Sequence, residues 1–253
     1  MPEPILSVKG LTKTFKLRGR EDVHAVKDVT FDLFPGETLG VIGESGSGKT
    51  TLVNLITGLL PETSGTVMLD GTEITNCRGK DLRAAWKKLQ VVFQTPTESF
   101  DPRRTLGDGI CESMRNNGVS REDVLKRAEA LLELCGLPKE YVGRYPHEVS
   151  GGQCQRAAIA RALAIEPKLL VCDEATSALD VTIQAEIIEL LTELRQKLDM
   201  SILFICHDIA LVQQFCDRVV VMYRGQIVEQ GIPGEVIADP QNAYTKDLID
   251  SIL

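Results

Sequence analysis

No apolar stretch in this 253-residue chain approaches the ~20 residues that cross a bilayer. A membrane-spanning helix is therefore not expected. The chain also has no run of five or more basic residues, and its net charge is −8. Nucleic-acid phosphates are held by clustered Lys and Arg, so a nucleic-acid partner is not expected either. Met1-Pro2-Glu3-Pro4 lacks the charged and apolar segments of a secretion signal, which predicts a place in the cytosol. No two cysteines form a C-x-x-C pair. The seven present are Cys77, Cys111, Cys135, Cys154, Cys172, Cys206 and Cys216, odd in number and widely scattered. That pattern predicts reduced, buried thiols in place of metal ligands or disulfides. Cys172 and Cys206 sit inside apolar, strand-like runs, where a thiol behaves as a small hydrophobe. There is no internal repeat and no low-complexity linker. With 43% hydrophobic and 25% charged residues, the chain has the composition of a globular domain. It is long enough for one large domain, or for one core with a smaller subdomain.

What the chain does have is Gly43-Glu44-Ser45-Gly46-Ser47-Gly48-Lys49-Thr50-Thr51. This fits G-x-x-x-x-G-K-[ST], the phosphate-binding P-loop. The apolar run Thr38 to Ile42 before it reads as a buried strand, and Thr51 to Ile56 after it has helical character. Strand, glycine-rich turn and helix form the context the motif requires. Glycines let backbone N–H groups approach phosphate oxygens, and the helix N-terminus adds partial positive charge. Lys49 is expected to reach the β- and γ-phosphates, and the Thr50 hydroxyl to ligate Mg²⁺.

Along the chain, Ile5 to Phe15 and Ala25 to Leu33 alternate as half-exposed antiparallel strands, joined by a charged hairpin loop from Lys16 to Asp22. Pro35-Gly36 turns into the buried strand. Thr66 to Leu69 is a strand closed by Asp70-Gly71. A short helix spans Leu82 to Lys88, and Leu89 to Phe93 is buried strand. From Pro96 to Tyr145 the spacing becomes helical, over Arg104 to Asn116, Arg121 to Cys135 and Lys139 to Tyr141. A further helix is predicted over Gly151 to Ile165, closed by Pro167. Then come a strand (Leu169 to Cys172), an amphipathic helix (Ile183 to Leu198), a strand (Ile202 to Cys206) and a helix (Ile209 to Phe215). The hairpin of Arg218 to Met222 with Gln226 to Val228 follows, and two short helices from Pro233 end the chain. The apolar stripe of Ile183 to Leu198 is read as core packing. His24 and His147 are read as surface or loop residues.

The alternation of strands and helices predicts an α/β fold: a P-loop NTPase core on a mostly parallel sheet, an antiparallel β subdomain and an inserted helical subdomain. Residues 1–95 and 166–232 form the core with its β subdomain. Residues 96–165 form the helical subdomain, and 233–253 the helical tail. Ligand is expected at the carboxyl ends of the parallel strands.

Two further motifs carry chemistry. Leu169 to Asp173 followed by Glu174 is a buried strand ending in two carboxylates. Asp173 is placed to hold Mg²⁺, and Glu174 to polarise the attacking water. Ser150-Gly151-Gly152-Gln153 opens a helix and is a second phosphate-binding device by the N-terminus argument, although an ordinary helix cap has the same form. Two such devices far apart in sequence suggest a site shared between two subunits.

In this order, the P-loop, Ser150-Gly151-Gly152-Gln153, Asp173-Glu174, Ser177-Ala178-Leu179-Asp180 and His207 resemble the ATP-binding cassette of ABC transporters, over essentially the whole chain. The resemblance implies the following roles. Phe15 stacks on adenine. Gln94 contacts Mg²⁺ and water and couples to membrane subunits. Ser150, Gly151, Gly152 and Gln153 close on the γ-phosphate of the opposite subunit, with Val149 where leucine is usual. Ala178, Leu179 and Asp180 form the loop that communicates across the dimer, and His207 contacts the γ-phosphate.

Within that family, residues 91–106 (VVFQTPTESFDPRRTL), Tyr145-Pro146-His147-Glu148 and Asp239 to Thr245 resemble the importer branch for peptides and nickel. Asn242-Ala243 stands where that branch usually has His-Pro. Relatives often continue beyond this tail, and the function of such an extension is expected to be absent here. The implied system contains ATP and Mg²⁺, two transmembrane permease subunits, a second cassette (paralogous or identical) and an extracytoplasmic substrate-binding protein. This chain would be peripheral on the cytoplasmic face of the membrane. A soluble ABC-type ATPase of repair or translation is the alternative. Repair relatives carry a long coiled coil between P-loop and signature, and translation relatives join two cassettes in one chain; neither is seen here.

Overall fold

The structure is a computed structural model, and it describes residues 2–16, 19, 21–177 and 179–251. Ala178 of the loop expected to communicate across a dimer, and Leu17, Arg18 and Arg20 of the charged hairpin loop, lie outside the described residues. Among the described residues ten strands form two sheets.

The smaller sheet has the order β2-β1-β4-β5, from β1 (Leu6–Phe15), β2 (Val23–Leu33), β4 (Ser64–Leu69) and β5 (Thr72–Glu73). Its pairings are antiparallel, as the alternation of its strands predicts. The larger sheet has the order β10-β9-β3-β8-β7-β6. Its members are β3 (Thr38–Ile42), β6 (Leu89–Val92), β7 (Leu169–Asp173), β8 (Ser201–Ile205), β9 (Arg218–Tyr223) and β10 (Gln226–Gly231). β10 is an antiparallel edge strand, and the other pairings are parallel. Every residue of β3, β7 and β8 is buried, because helices or the second sheet cover both faces.

Alternate residues of these strands divide the core in two. Leu39, Val41, Val171, Leu203 and Val220 face α1 (Lys49–Ile56) and the antiparallel sheet. Leu170, Cys172, Ile202, Phe204 and Val221 face α5 (Gly151–Leu163), α6 (Val181–Leu198) and α7 (Ile209–Phe215). The stripe on α6 is core as predicted: Ile187, Ile188, Leu191 and Leu194 are buried. α2 (Gly79–Lys88) leads into β6. All regular elements described between β6 and β7 are helical: α3 (Leu106–Asn116), α4 (Arg121–Leu134), two short 3₁₀ turns and α5. α8 (Pro233–Ala238) and α9 (Ala243–Asp250) end the described chain. No helix among the described residues is long and apolar enough to cross a membrane.

Several boundaries differ from the sequence expectation. α5 stops at Leu163, short of Ile165, because Glu166 takes the left-handed region (φ 54°) ahead of Pro167, which disfavours helix in the residue before it. Phe93 lies outside β6 and is exposed. β10 runs on to Gly231, past Val228. Cys77 is only half-buried, whereas the other six cysteines are buried thiols.

The two sheets meet at the P-loop. A Cβ on Gly48 would lie 2.4 Å from the Ala25 carbonyl oxygen of β2, and one on Gly225 would lie 2.7 Å from the same oxygen. Gly225 also donates its N–H to the Ser47 carbonyl (2.8 Å) and accepts from Lys27 N–H (2.7 Å).

Candidate active site

The carboxyl ends of β3, β8, β7 and β6 are neighbours in the larger sheet, and each delivers one predicted motif. β3 ends in the P-loop and β7 in Asp173-Glu174. β8 ends two residues before His207, and β6 two residues before Gln94. The parallel register thus brings together residues up to 164 positions apart, His207 and Gly43 being the extremes of that core set.

The P-loop backbone depends on glycine. Gly43 has φ 150°, and a Cβ there would lie 2.2 Å from the Met222 carbonyl oxygen. Gly48 has φ 106° and begins α1 with no side-chain cap, so the first N–H groups of the helix have no side-chain acceptor. Ser47 Oγ is buried without a partner. Glu44, Ser45, Gly46 and Thr50 are exposed, and Thr51 is half-buried. Open backbone donors at a helix N-terminus form a cradle for an anion.

Lys49 is 4% exposed. Its Nζ donates to the carbonyls of Gly43 (2.7 Å) and Glu44 (3.0 Å) and lies 3.9 Å from Glu174 Oε1. Burial pushes the ammonium pKa down, outweighing the attraction of Glu174 and Asp173. The cation is thus held on neutral carbonyls, which a phosphate oxygen can replace to advantage.

Asp173 is 7% exposed and its Oδ1 is buried without a partner. Burial first, and Glu174 second, raise its pKa from 3.8 to about 6, against the pull of Lys49. A buried carboxylate oxygen with no donor is what a divalent cation would satisfy, so the residues present fit Mg²⁺. The folded state therefore takes up this proton before the unfolded chain does. The associated stability is full below about 3.8 and lost as pH rises through about 6. Asp173→Asn, neutral at every pH, should stabilise the metal-free protein at pH 8. The gain should be about 1–3 kcal/mol, at ~1.4 kcal/mol per unit of pKa. It should shrink below pH 6 and vanish near pH 4. Denaturant titrations in EDTA at the three pH values measure it; a destabilised variant at pH 8 would refute the account.

Glu174 is a non-glycine residue with φ 49°, a conformation that costs free energy and persists where neighbours enforce it. Here its N–H donates to the Ile205 carbonyl of β8 (3.1 Å), and its carbonyl accepts from Ser177 N–H (3.1 Å) and Oγ (2.9 Å). Ser177 Oγ in turn accepts from Gln94 Nε2 (3.2 Å). Ser177 thus ties Gln94 to the backbone of Glu174. The motif reading includes Ser177 without a role, since nothing in a linear pattern shows that it touches a residue 83 positions away.

Ser150 caps α5: its Oγ accepts from Gln153 N–H (3.3 Å), and Gln153 Oε1 accepts from Ser150 N–H (2.9 Å). The ordinary helix cap is therefore formed, and it leaves Ser150 and Gly151 exposed. Gly152 has a packing reason of its own. A Cβ there would lie 2.6 Å from Ile183 Cγ2 of α6. Asp180 caps α6 through Oδ1, which accepts from Ile183 N–H (3.0 Å). His207 is exposed just beyond β8. Phe15, 37% exposed, ends β1, with Lys13 Nζ 5.2 Å from its ring centroid. His24 and His147 are exposed, as predicted.

Residues 26–177 match the family model described as ABC transporter. The chain is 44% identical over 257 aligned residues to the glutathione import ATP-binding protein GsiA of Salmonella paratyphi A, covering 99% of this chain and 41% of that protein. It therefore spans about two fifths of the length of that relative. A Brucella ovis protein, provisionally named a peptide import ATP-binding protein, is 42% identical over 98% of this chain and 78% of its own length. Among solved structures, cbiO1 of Clostridium perfringens, part of the transporter complex cbiONQ, superposes with a TM-score of 0.83 at 31% identity, covering 94% of this chain and 92% of that one. The ATP-binding cassette MJ0796, solved as a dimer bound to ADP and phosphate, gives 0.82 at 30% identity, covering 90% and 98%. With its core matched by the family model and these relatives spanning nearly all of it, the chain belongs to the ABC transporter family.

Proposed function

We propose that this chain hydrolyses ATP to power an importer for small peptides. The observation that carries the reading is the convergence at the carboxyl ends of the parallel strands of an uncapped, glycine-dependent P-loop, the buried Lys49 and the Asp173-Glu174 pair. The peptide class is supported by relatives named for glutathione and peptide import. A nickel chelate is the second solute class of the resembled branch.

In this mechanism the P-loop N–H groups and Lys49 hold the β- and γ-phosphates, and Phe15 stacks on the base. Thr50, Asp173 and Gln94 would hold Mg²⁺, which when bound would neutralise phosphate charge. Glu174 accepts a proton from the water that attacks the γ-phosphorus. A new P–O bond forms as the bond to the β-γ bridging oxygen breaks, leaving ADP and phosphate. Gln94 and His207 orient the water and the γ-phosphate. The exposed Ser150-Gly151 start of α5 closes on the γ-phosphate of a second cassette, with Gly152, Gln153 and Asp180 behind it. Closure on ATP and reopening after hydrolysis drive two permease subunits. An extracytoplasmic binding protein delivers the solute, and this chain sits at the cytoplasmic membrane face.

The test is uptake of labelled di- and tripeptides, glutathione and nickel by cells with and without this gene. Peptide uptake should be lost on deletion and restored by the gene. Unchanged uptake of all three, with the purified chain still hydrolysing ATP, would favour the soluble ATPase.

A further inference from the structure

The Gly43-Glu44 peptide group is gripped from both sides. Its carbonyl accepts from Lys49 Nζ at 2.7 Å, and its N–H donates to the Tyr244 hydroxyl at 2.9 Å. Gly43 has no side chain to limit rotation of this peptide plane, so its orientation has to be held from outside. Tyr244 belongs to α9, two hundred positions along the chain. It is placed with care. The Asn242 side chain caps α9 by accepting from Tyr244 N–H (2.9 Å). Gln241 and Asn242 N–H groups donate to the two Glu229 carboxylate oxygens on β10 (2.8 and 3.1 Å). The phenol ring stacks on Tyr223 at the end of β9, with centroids 4.0 Å apart and planes at 25°. Asn242, which replaces the usual histidine of the resembled branch, thus serves as the cap that sets the ring.

We propose that Tyr244 is a positioning residue for the P-loop, fixing the peptide plane on which Lys49 is parked and so setting the cradle before nucleotide arrives. The C-terminal helix is then part of the nucleotide site, although it lies outside the residues the family model matches. Burial raises the phenol pKa, so the hydroxyl remains neutral near pH 7.

The role in nucleotide binding rests on the ATPase reading above, and the experiment separates the two. Tyr244→Phe keeps the ring and its stack and removes only the hydroxyl. By amide exchange in the nucleotide-free chain, the Glu44 N–H should exchange about two- to tenfold faster, the worth of one hydrogen bond. Amides within α9 should keep their protection. The dissociation constant for a fluorescent ATP analogue should rise by a similar factor. Wild-type exchange at Glu44 together with wild-type affinity would overturn the proposal. So would loss of protection throughout α9 without a change at Glu44, which would make the hydroxyl a support of the tail alone. A wild-type chain that fails to bind the analogue would sink the ATPase reading instead, and the Glu44 exchange would still decide the role of Tyr244.

Discussion

Glu174→Gln should slow ATP hydrolysis by about 100-fold or more while ATP binding stays near wild type. A positioned general base contributes about 10²–10⁴-fold, and glutamine keeps the size and hydrogen bonding of glutamate without its basicity. Position 174 suits this test because its backbone is fixed independently of its carboxylate. The N–H is spent on Ile205 and the carbonyl on Ser177, so the left-handed conformation should survive the substitution. The amide also keeps a group near Lys49 Nζ, which sits 3.9 Å from Oε1. If hydrolysis is what reopens the cassettes, the variant should accumulate a closed dimer with its proper partner. Size-exclusion chromatography with and without Mg-ATP reads this directly. Hydrolysis at the wild-type rate would show that Glu174 is not the base. Lost hydrolysis with no dimer on any cassette partner would argue against the shared site.

Lys49→Ala should weaken ATP binding by about 10- to 100-fold and abolish turnover, with the fold retained. Charge-assisted hydrogen bonds contribute roughly 1.5–3 kcal/mol each, which sets that range. The fold should survive because the buried ammonium is an electrostatic cost to the empty protein: burial already pushes its pKa down. Removing it frees the buried Gly43 carbonyl and the part-buried Glu44 carbonyl, and a water in the volume the side chain vacates can take the place of the cation. Titration with a fluorescent ATP analogue, paired with thermal melts, separates the two effects. Wild-type affinity and rate in a folded Lys49→Ala protein would remove the P-loop assignment.

The local motifs were legible because their geometry is local. Gly43 to Thr51 encodes a turn and a helix start within nine residues, and the apolar run ending in Asp173 encodes a buried strand with an acidic end. The alternation in β1 and β2 and the stripe on α6 were readable for the same reason, since periodicity reports which face is buried. Contacts set by topology were not readable. Nothing near Tyr244 in sequence points to Glu44, and nothing near Ser177 points to Gln94. Gly152 gives the converse case. A glycine demanded by Ile183 packing looks the same in sequence as one demanded by a phosphate. β5 was missed because a two-residue strand has no period to detect.

The Ala25 carbonyl, pressed against both Gly48 and Gly225, fixes a length. It joins the strand pair that ends in Phe15 to the start of α1 through backbone alone, with no side chain between them to bend. On the proposed reading, the base end and the phosphate end of the site would be the two jaws of a gauge with a preset gap. A ligand is measured by its span as well as by its groups. If Phe15 takes the base and the P-loop the phosphates, as proposed, only a molecule of the right reach engages both jaws. A side chain added at Gly225, which lies outside the P-loop and meets the same carbonyl, would appear as a shifted gauge.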